Sequence, residues 1–406
     1  MDKRKPTTMC MNEEQIYLNF DEYKKVSEPH KRERAEAWRV AIGLQAVDGL
    51  QVSEYLKQTA RQHIEGEITI DEACQQIKQY YISKTIHDDD DENKAEADKV
   101  SGNIAKLIGS PSFTFNAAGV MAIHRGIFEG VFKHAGKLRT YDITKKEWVL
   151  RGDTVMYGRW QDLRMALDYD IEQEKLFDYR GLSMGEVIER LAKFVSGIWQ
   201  THPFCEGNTR TTAVFAIKYL KSIGFECNND MFEQHSWYFR NALVRANYKN
   251  VAKGINQDYS FLNNFFRNLL MGENNELKNR YMLVNPPEEW KNEASTGQVQ
   301  DKLRTSTPQV QDKYGISAGQ VQDKLNTDNP NIIGLIQVVG EQELSVKEMM
   351  CGVNLKGRDN FLNLYLTPAM AEGYIRQLYP QSPRHPRQKY LLTVKGLALF
   401  NELKTK

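Results

Sequence analysis

Between His202 and Arg210 the chain reads HPFCEGNTR, which gathers an imidazole, a carboxylate, a Gly-Asn pair and a guanidinium into one short stretch. An apolar run from Thr211 to Ile223 follows directly and reads as a buried central helix ending at Gly224. A loop that opens such a helix leaves the first backbone N–H groups unpaired, and the helix dipole adds about half a positive charge there. The helix start is therefore an anion site. Gly207 lets backbone approach a ligand closely, Asn208 adds a side-chain donor, and Arg210, one turn in, can fork onto a phosphate. Glu206 offers a hard oxygen to Mg²⁺, an ion that usually binds through one carboxylate plus substrate phosphates. His202 is the titratable base nearby and is placed to deprotonate an incoming hydroxyl. Taken singly, each residue has a plainer use: a structural histidine before proline, a solvated acid, a salt-bridge arginine. Their clustering at a helix start favours phosphoryl or nucleotidyl transfer, in which positioning and charge neutralisation carry most of the catalysis. A His-x-x-x-Glu hydrolase centre is the weaker reading, because no third metal ligand lies nearby.

The elements that must hold this loop are mostly helices. SMGEVIERLAKFVSGIWQ opens on a Ser183–Glu186 capping box and sets Val187, Ile188, Leu191, Phe194, Val195, Ile198 and Trp199 on one face. NAAGVMAIHRGIFEGVF is helical with Val120, Ile123, Ile127 and Phe128 inward, whereas 137–158 switches to short β-prone runs and reads as an irregular hairpin. After the motif, Arg240 and Asn247 either line a pocket or sit on a helix surface. Upstream, residues 31–85 form a small helical module: one helix carries Trp38, Ile42 and Ala46 and stops at Gly49, and another opens on a Thr69–Glu72 capping box. The acidic, apolar-poor stretch 86–100 reads as a linker between that module and a helical core over 101–272, and 1–30 as a leader. VQDK begins at 299, 310 and 321 among Thr, Ser, Gly and Pro, so 273–330 reads as a repetitive linker. Residues 331–406 return to globular patterning in a helix–helix–helix–hairpin order, with a Ser345–Glu348 capping box and a proline-rich basic tip, as in a winged helix. The expected fold is thus mainly α: a small helical module, a helical core with a β-hairpin flap, and a winged helix.

Charge narrows the partners. With 54 basic and 53 acidic side chains the net charge is +1, so no global field attracts polyanions. Positive charge concentrates in 352–406, where nine Lys/Arg face three Asp/Glu. Lys356 and Arg358 open the third helical stretch, and Arg384, Arg387 and Lys389 crowd the tip, which fits either DNA or protein docking. No apolar run reaches the ~18 residues of a membrane span, and the N-terminus lacks the apolar stretch of a secretory signal. Five cysteines, odd in number and without a CxxC pair, fit a reduced cytoplasmic protein with no zinc site.

HPFCEGNTR resembles the signature HPFx(D/E)GNGRxxR of the Fic/Doc family, and IHRGIFEGVFKHAGKLR (123–139) resembles the segment that opens its core; the likeness spans about 101–272. It implies an all-α core that transfers AMP from ATP, with Mg²⁺, to a Ser, Thr or Tyr hydroxyl of a target protein. Residue by residue, it makes His202 the general base and Glu206 the Mg²⁺ ligand. Phe204, Gly207, Asn208, Thr209 and Arg210 become the nucleotide-binding set, and the 137–158 hairpin the flap that docks a target by strand addition. Two positions depart from the pattern. Thr209 replaces the second glycine, and a β-branched residue dislikes positive φ, so the loop is expected to shift. Ala213 replaces the second arginine, whose loss, at about 1.5–3 kcal/mol for a charged hydrogen bond, weakens triphosphate binding or signals another nucleotide donor. The 31–85 module resembles the VbhA-type antitoxin domain. Its inhibitory (S/T)xxxE(G/N) motif aligns with Leu44 to Gly49, with Asp48 in place of the glutamate that would meet the second arginine. Asp48 and Gly49 are thus regulatory candidates, with the module packed beside the site but without strong glutamate-style inhibition. Two functions follow: a protein adenylyltransferase, automodification included, or a catalytically weak nucleotide-sensing regulator that binds DNA or a partner.

Overall fold

The computed structural model describes residues 20–26, 28–84, 89–227, 230–285 and 327–405. The leader up to residue 19, the three VQDK repeats and Cys10 lie outside them. The architecture is mainly helical, with one small antiparallel sheet near the C-terminus. The first part comprises α1 (Pro29–Gly43), α2 (Glu54–Glu65), α3 (Ile70–Ser83), α4 (Asp89–Gly109), α5 (Ala117–Phe128), α6 (Leu163–Lys175), α7 (Met184–Thr201), α8 (Asn208–Ser222), α9 (Asp230–Asn247) and α10 (Ser260–Met271). One apolar core runs through all of them, from Phe20 to Val284. At its centre lies α8, whose residues Asn208 to Leu220 are all buried. A helix enclosed on every side must be polar only at its ends, and the chain places its chemistry there.

The segment expected as an acidic linker is instead the first half of α4. Four acids, Asp89, Asp90, Asp91 and Glu92, occupy its first turn, where they complement the positive end of the helix dipole. Its small and apolar residues Ala95, Ala97, Val100, Ile104 and Ala105 are buried against α1 and α3. Low hydropathy misled because, before Val100, the buried side of the helix is made by alanines and Asp98. Buried Asp98 completes it by accepting from the Ser53 N–H at 2.9 Å and the Tyr81 hydroxyl at 2.7 Å.

The N-terminal helices are bolted to α9. Arg39, itself buried, donates to Glu233 at 2.9 Å and pairs with Asp230, and the Ser236 hydroxyl donates to the Gly43 carbonyl at 2.7 Å. A Cβ on Gly43 would lie 2.3 Å from the Glu233 backbone, so only glycine allows α1 and α9 to cross this closely. After α1, a 3₁₀ turn, Leu44–Asp48, ends at Gly49, whose φ of 72° turns the chain away.

The three capping boxes take the form that their spacing predicts, at Thr69/Glu72, Ser183/Glu186 and Ser345/Glu348. Ser183→Ala removes the acceptor for the Glu186 N–H at the start of α7 and is expected to cost about 1 kcal/mol in urea unfolding, with the native circular dichroism retained.

The C-terminal part has its own core around Ile332, Leu335, Phe361 and Tyr374. It contains α11 (Pro330–Val339), α12 (Val346–Gly352), a third helical stretch from Arg358 to Ala371, strands β1 (Ile375–Gln377) and β2 (Tyr390–Leu392), and α13 (Val394–Thr405). Ile375 pairs with Leu392 and Gln377 with Tyr390, leaving the basic tip between the strands. A π turn at Leu362–Leu366 breaks the third stretch just before Pro368, which lacks the N–H a regular ladder needs there. Helix α13 was not among the expected elements; Thr393 starts it by accepting from the Gly396 N–H at 3.1 Å. Leu397 packs on both cores, and Gly224 and Gly373 approach so closely that a Cβ on either would strike the other's backbone. Among the described residues no helix is long and apolar enough to cross a membrane.

Candidate active site at the head of the buried helix

Helix α7 ends at Thr201, and His202 caps it in the left-handed region at φ 47°. A non-glycine residue there needs outside support. Arg139 supplies it: its backbone N–H donates to the Pro203 carbonyl at 2.9 Å and its Nε to the His202 carbonyl at 2.8 Å. The rest of the buried guanidinium donates to the carbonyls of Tyr141, at 2.7 Å, and Gly158. A cation among carbonyls at a helix C-terminus is where the dipole favours it. The imidazole Nδ1 lies 3.3 Å from the Trp199 carbonyl, which can only accept, so Nδ1 carries the proton and Nε2 keeps its lone pair. Nε2 is buried without a partner. Burial, then Lys145 and more weakly Arg240 and Arg139, holds the His202 pKa well below the usual histidine range. The group is a neutral proton acceptor.

The loop after it is a cradle of free amides. Among the described residues no acceptor meets the backbone N–H of Gly207, Asn208, Thr209 or Arg210. Gly207 takes the positive φ of 72°, and a Cβ there would stand 2.1 Å from the Phe128 ring, so glycine is obligatory. Thr209 lies one step inside α8 with ordinary helical geometry, and its Oγ1 accepts from the Trp199 indole at 2.9 Å. The expected loop shift therefore does not occur, because the left-handed turn falls at Gly207 and not at Thr209. Two other expectations also change. Asn208 turns its amide to the Phe204 backbone, accepting from its N–H at 2.9 Å and donating to its carbonyl at 2.8 Å, so one of its two side-chain N–H donors is already committed within the loop. Phe204 is buried and stacks on the His124 ring at 3.7 Å, so its side chain supports the loop from within.

Arg210 is buried and already engaged. Its Nε lies 2.8 Å from Asp48, a close ionic contact more than an aligned hydrogen bond, while its two terminal nitrogens donate to Glu96 at 2.9 Å and Gln45 at 3.1 Å. The Phe128 ring covers its face at 4.8 Å. Asp48 thus does find an arginine, although position 213 holds a buried alanine: its partner is Arg210. Gly49 only turns the chain behind it. Glu206 is the exposed member of the set, and its carboxylate meets Lys145 at 3.3 Å. No group of three or more His, Cys, Asp or Glu side chains fit to hold a metal occurs among the described residues.

Segment 137–158, expected as a β-hairpin, has no paired strands; a 3₁₀ turn, Trp148–Leu150, occupies its middle. Its two ends bond to the end of α7 instead, through Arg139 and through the Gly158 N–H to the Gln200 carbonyl at 3.3 Å. The segment crosses the site and lays Tyr157 over His202, ring centroids 4.1 Å apart. Buried Glu147 anchors that tyrosine, accepting from its hydroxyl at 3.1 Å while pairing with Arg240 at 2.8 Å. Arg240 therefore belongs to the site's wall, whereas Asn247 is a core residue bonded to Ser196. Sequence reading missed Gln45, Glu96, His124, Arg139, Lys145, Glu147 and Tyr157 as parts of the site. His124 and Arg139 fall within the 123–139 stretch, Lys145, Glu147 and Tyr157 within 137–158 and Gln45 within Leu44–Gly49, so Glu96 alone carried no signal.

Fold and loop together define a mainly helical protein whose central helix opens on a cradle of unpaired amides beside a neutral imidazole. Residues 114–220 match the Fic/DOC family model, and residues 330–393 match the model described as Filamentation induced by cAMP protein Fic-like, C-terminal domain. The chain carries a Fic/DOC domain followed by a Fic-like C-terminal domain. It is similar to the protein adenylyltransferase VbhT of Bartonella schoenbuchensis, 26% identical over 168 residues that make up 36% of this chain and 34% of that one. It is also similar to the probable protein adenylyltransferase Fic of Escherichia coli K12, 28% identical over 117 residues covering 28% of this chain and 54% of the relative. The matches thus span about a third and about half the length of these curated relatives. Among solved structures, a Fic family protein from Desulfovibrio desulfuricans G20 aligns over 95% of this chain and 97% of its own at 15% identity and a TM-score of 0.37. The type IV secretion system effector protein BepA aligns over 43% and 61% at 22% identity and a TM-score of 0.33.

Proposed function

We propose that this chain transfers AMP from ATP, with Mg²⁺, to a hydroxyl of a target protein, itself included, and that the structure is its closed state. One observation carries the reading: a neutral imidazole with a free Nε2 lone pair stands beside an amide cradle with no acceptor of its own. In the step, the hydroxyl oxygen bonds to the α-phosphorus, the bond to the pyrophosphate oxygen breaks, and the hydroxyl proton passes to His202 Nε2. The cradle and Arg210 take the phosphate charge. Phosphate charge offsets the neighbouring Lys145, Arg240 and Arg139 and raises the imidazole pKa when a nucleotide is present. Mg²⁺ fits through Glu206, one exposed carboxylate on the cradle's edge, and when bound it would neutralise phosphate oxygens. With Ala213 in place of a second arginine, the donor is held by fewer cations, so other nucleoside triphosphates and diphosphate-linked donors belong in the test.

Two features keep the state closed: Tyr157 covers the base, and Asp48 with Glu96 neutralises Arg210. That closure also favours the second reading, a nucleotide-sensing regulator without transfer. The basic C-terminal unit serves in either case as the targeting element, on DNA or on a protein.

The full-length chain, wild type and Asp48→Asn/Glu96→Gln, is incubated with α-labelled ATP and Mg²⁺. Freeing Arg210 is expected to tighten nucleotide binding about tenfold or more, the value of a charged hydrogen bond, and to raise label on the protein or on a lysate target. Tight binding by the variant with no covalent label would establish the regulator instead.

A further inference from the structure

Among the buried titratable groups that the proposed chemistry leaves unused, His124 touches the cradle most directly. Its side chain is fully enclosed on α5, and both ring nitrogens are committed. The Gly136 N–H donates to Nδ1 at 2.7 Å, so the proton resides on Nε2, which donates to the Glu206 carbonyl at 3.1 Å. The ring face stacks on Phe204 at 3.7 Å, and Phe128 approaches at 4.8 Å. A trans peptide is planar, so its N–H points opposite to its C=O. Tying down the Glu206 carbonyl on the His124 side therefore aims the Gly207 N–H to the other side, the first amide of the cradle.

We propose that His124 is a positioning residue, which sets the direction of the Glu206–Gly207 peptide and thereby tunes the cradle for phosphate. The inference rests on the nucleotide reading above. Other fixtures of the loop act elsewhere: Asn208 holds the Phe204 backbone, and the space beside Phe128 excludes a side chain at Gly207. His124 alone grips the peptide between Glu206 and Gly207 among the described residues.

The test uses the full chain in the Asp48→Asn/Glu96→Gln background, with His124→Phe and His124→Gln added. Phenylalanine keeps a stackable ring without a donor, whereas glutamine keeps an N–H that reaches the Glu206 carbonyl. Calorimetry with inorganic pyrophosphate and with ATP·Mg²⁺ gives affinity, urea unfolding gives stability, and amide NMR reports Gly207 and Asn208 in the ligand-free protein. His124→Phe is expected to weaken pyrophosphate binding about tenfold and to shift the Gly207 amide signal. His124→Gln should restore most of both, even if the two variants lose similar stability. Affinity and amide signals that follow stability alone, with no rescue by glutamine, would reduce His124 to a packing residue. If the parent background binds neither ligand, the nucleotide reading fails, and the amide signals still decide whether His124 orients the peptide.

Discussion

His202→Ala is expected to lower transfer by about 10²–10⁴-fold, the usual range for a general base, while ATP affinity changes little. The separation follows from the geometry. The proposed phosphate holders are the unpaired amides of Gly207 to Arg210 and the Arg210 side chain, and none of these bonds to the imidazole. The imidazole contributes only the Nε2 lone pair, which has no other partner. Its backbone is fixed independently by Arg139, so truncation leaves the left-handed turn supported. His202→Asn controls for packing, because its amide can still donate to the Trp199 carbonyl without offering a base. The measurement is α-label incorporation against calorimetric affinity in the Asp48→Asn/Glu96→Gln background. Equal loss of binding and transfer would place His202 in the cradle, not at the proton. Undiminished transfer in both variants would remove it from the chemistry altogether.

The local rules made much of this molecule legible, and long-range contacts hid the rest. The capping boxes at Thr69, Ser183 and Ser345 and the enclosed helix after Arg210 follow from spacing and hydropathy, which act over one or two turns. The left-handed residue was expected at position 209 and falls at Gly207. The hairpin over 137–158 failed because β-prone residues need a partner strand, and this segment bonds to the end of α7. The linker expected over 86–100 gives way to helix from residue 89, because acids that read as solvated occupy a helix's first turn, with alanines packed behind them. Glu96 was invisible as a site residue, and Gln45 was passed over within Leu44–Gly49, for a related reason. Each is an ordinary helix-surface type, and only the docking of α1 and α4 around α8 brings them to Arg210. Asp48 was singled out by resemblance, but its partner is set by three-dimensional placement and not by the pattern.

That docking carries a pH dependence through His63. On α2, its Nδ1 accepts from the Trp38 indole N–H at 3.0 Å, and its carbonyl accepts from Arg34 at 3.0 Å. A second proton would have to displace the indole. Burial, with Arg34 adding a lesser push, lowers the His63 pKa to about 4, against an ordinary value near 6.5. The unfolded chain therefore binds this proton first, and stability falls as pH drops through 6.5, levelling off below about 4. A fully buried group would lose about 1.4 kcal/mol per pH unit across that window. His63 is partly exposed, so about 1 kcal/mol per unit, some 2 kcal/mol in all, is the expected share. Carboxyls whose pKa is raised by desolvation, buried Asp98 and half-buried Glu36 and Glu233, act in the opposite sense, so the histidine must be read by difference. His63→Gln keeps an acceptor for Trp38 but cannot take up the proton. Between pH 7 and pH 4.5, urea unfolding of the wild type should lose about 2 kcal/mol more than that of the variant. Parallel losses would mean that His63 titrates alike in both states. Because Trp38 and the Arg39 contacts lie on the same helix, acid that loosens α1 also loosens the turn bearing Gln45 and Asp48. Mild acid should therefore release Arg210 in the wild type before the core around α8 unfolds, seen as nucleotide affinity that rises toward pH 5.5 and does so less in His63→Gln.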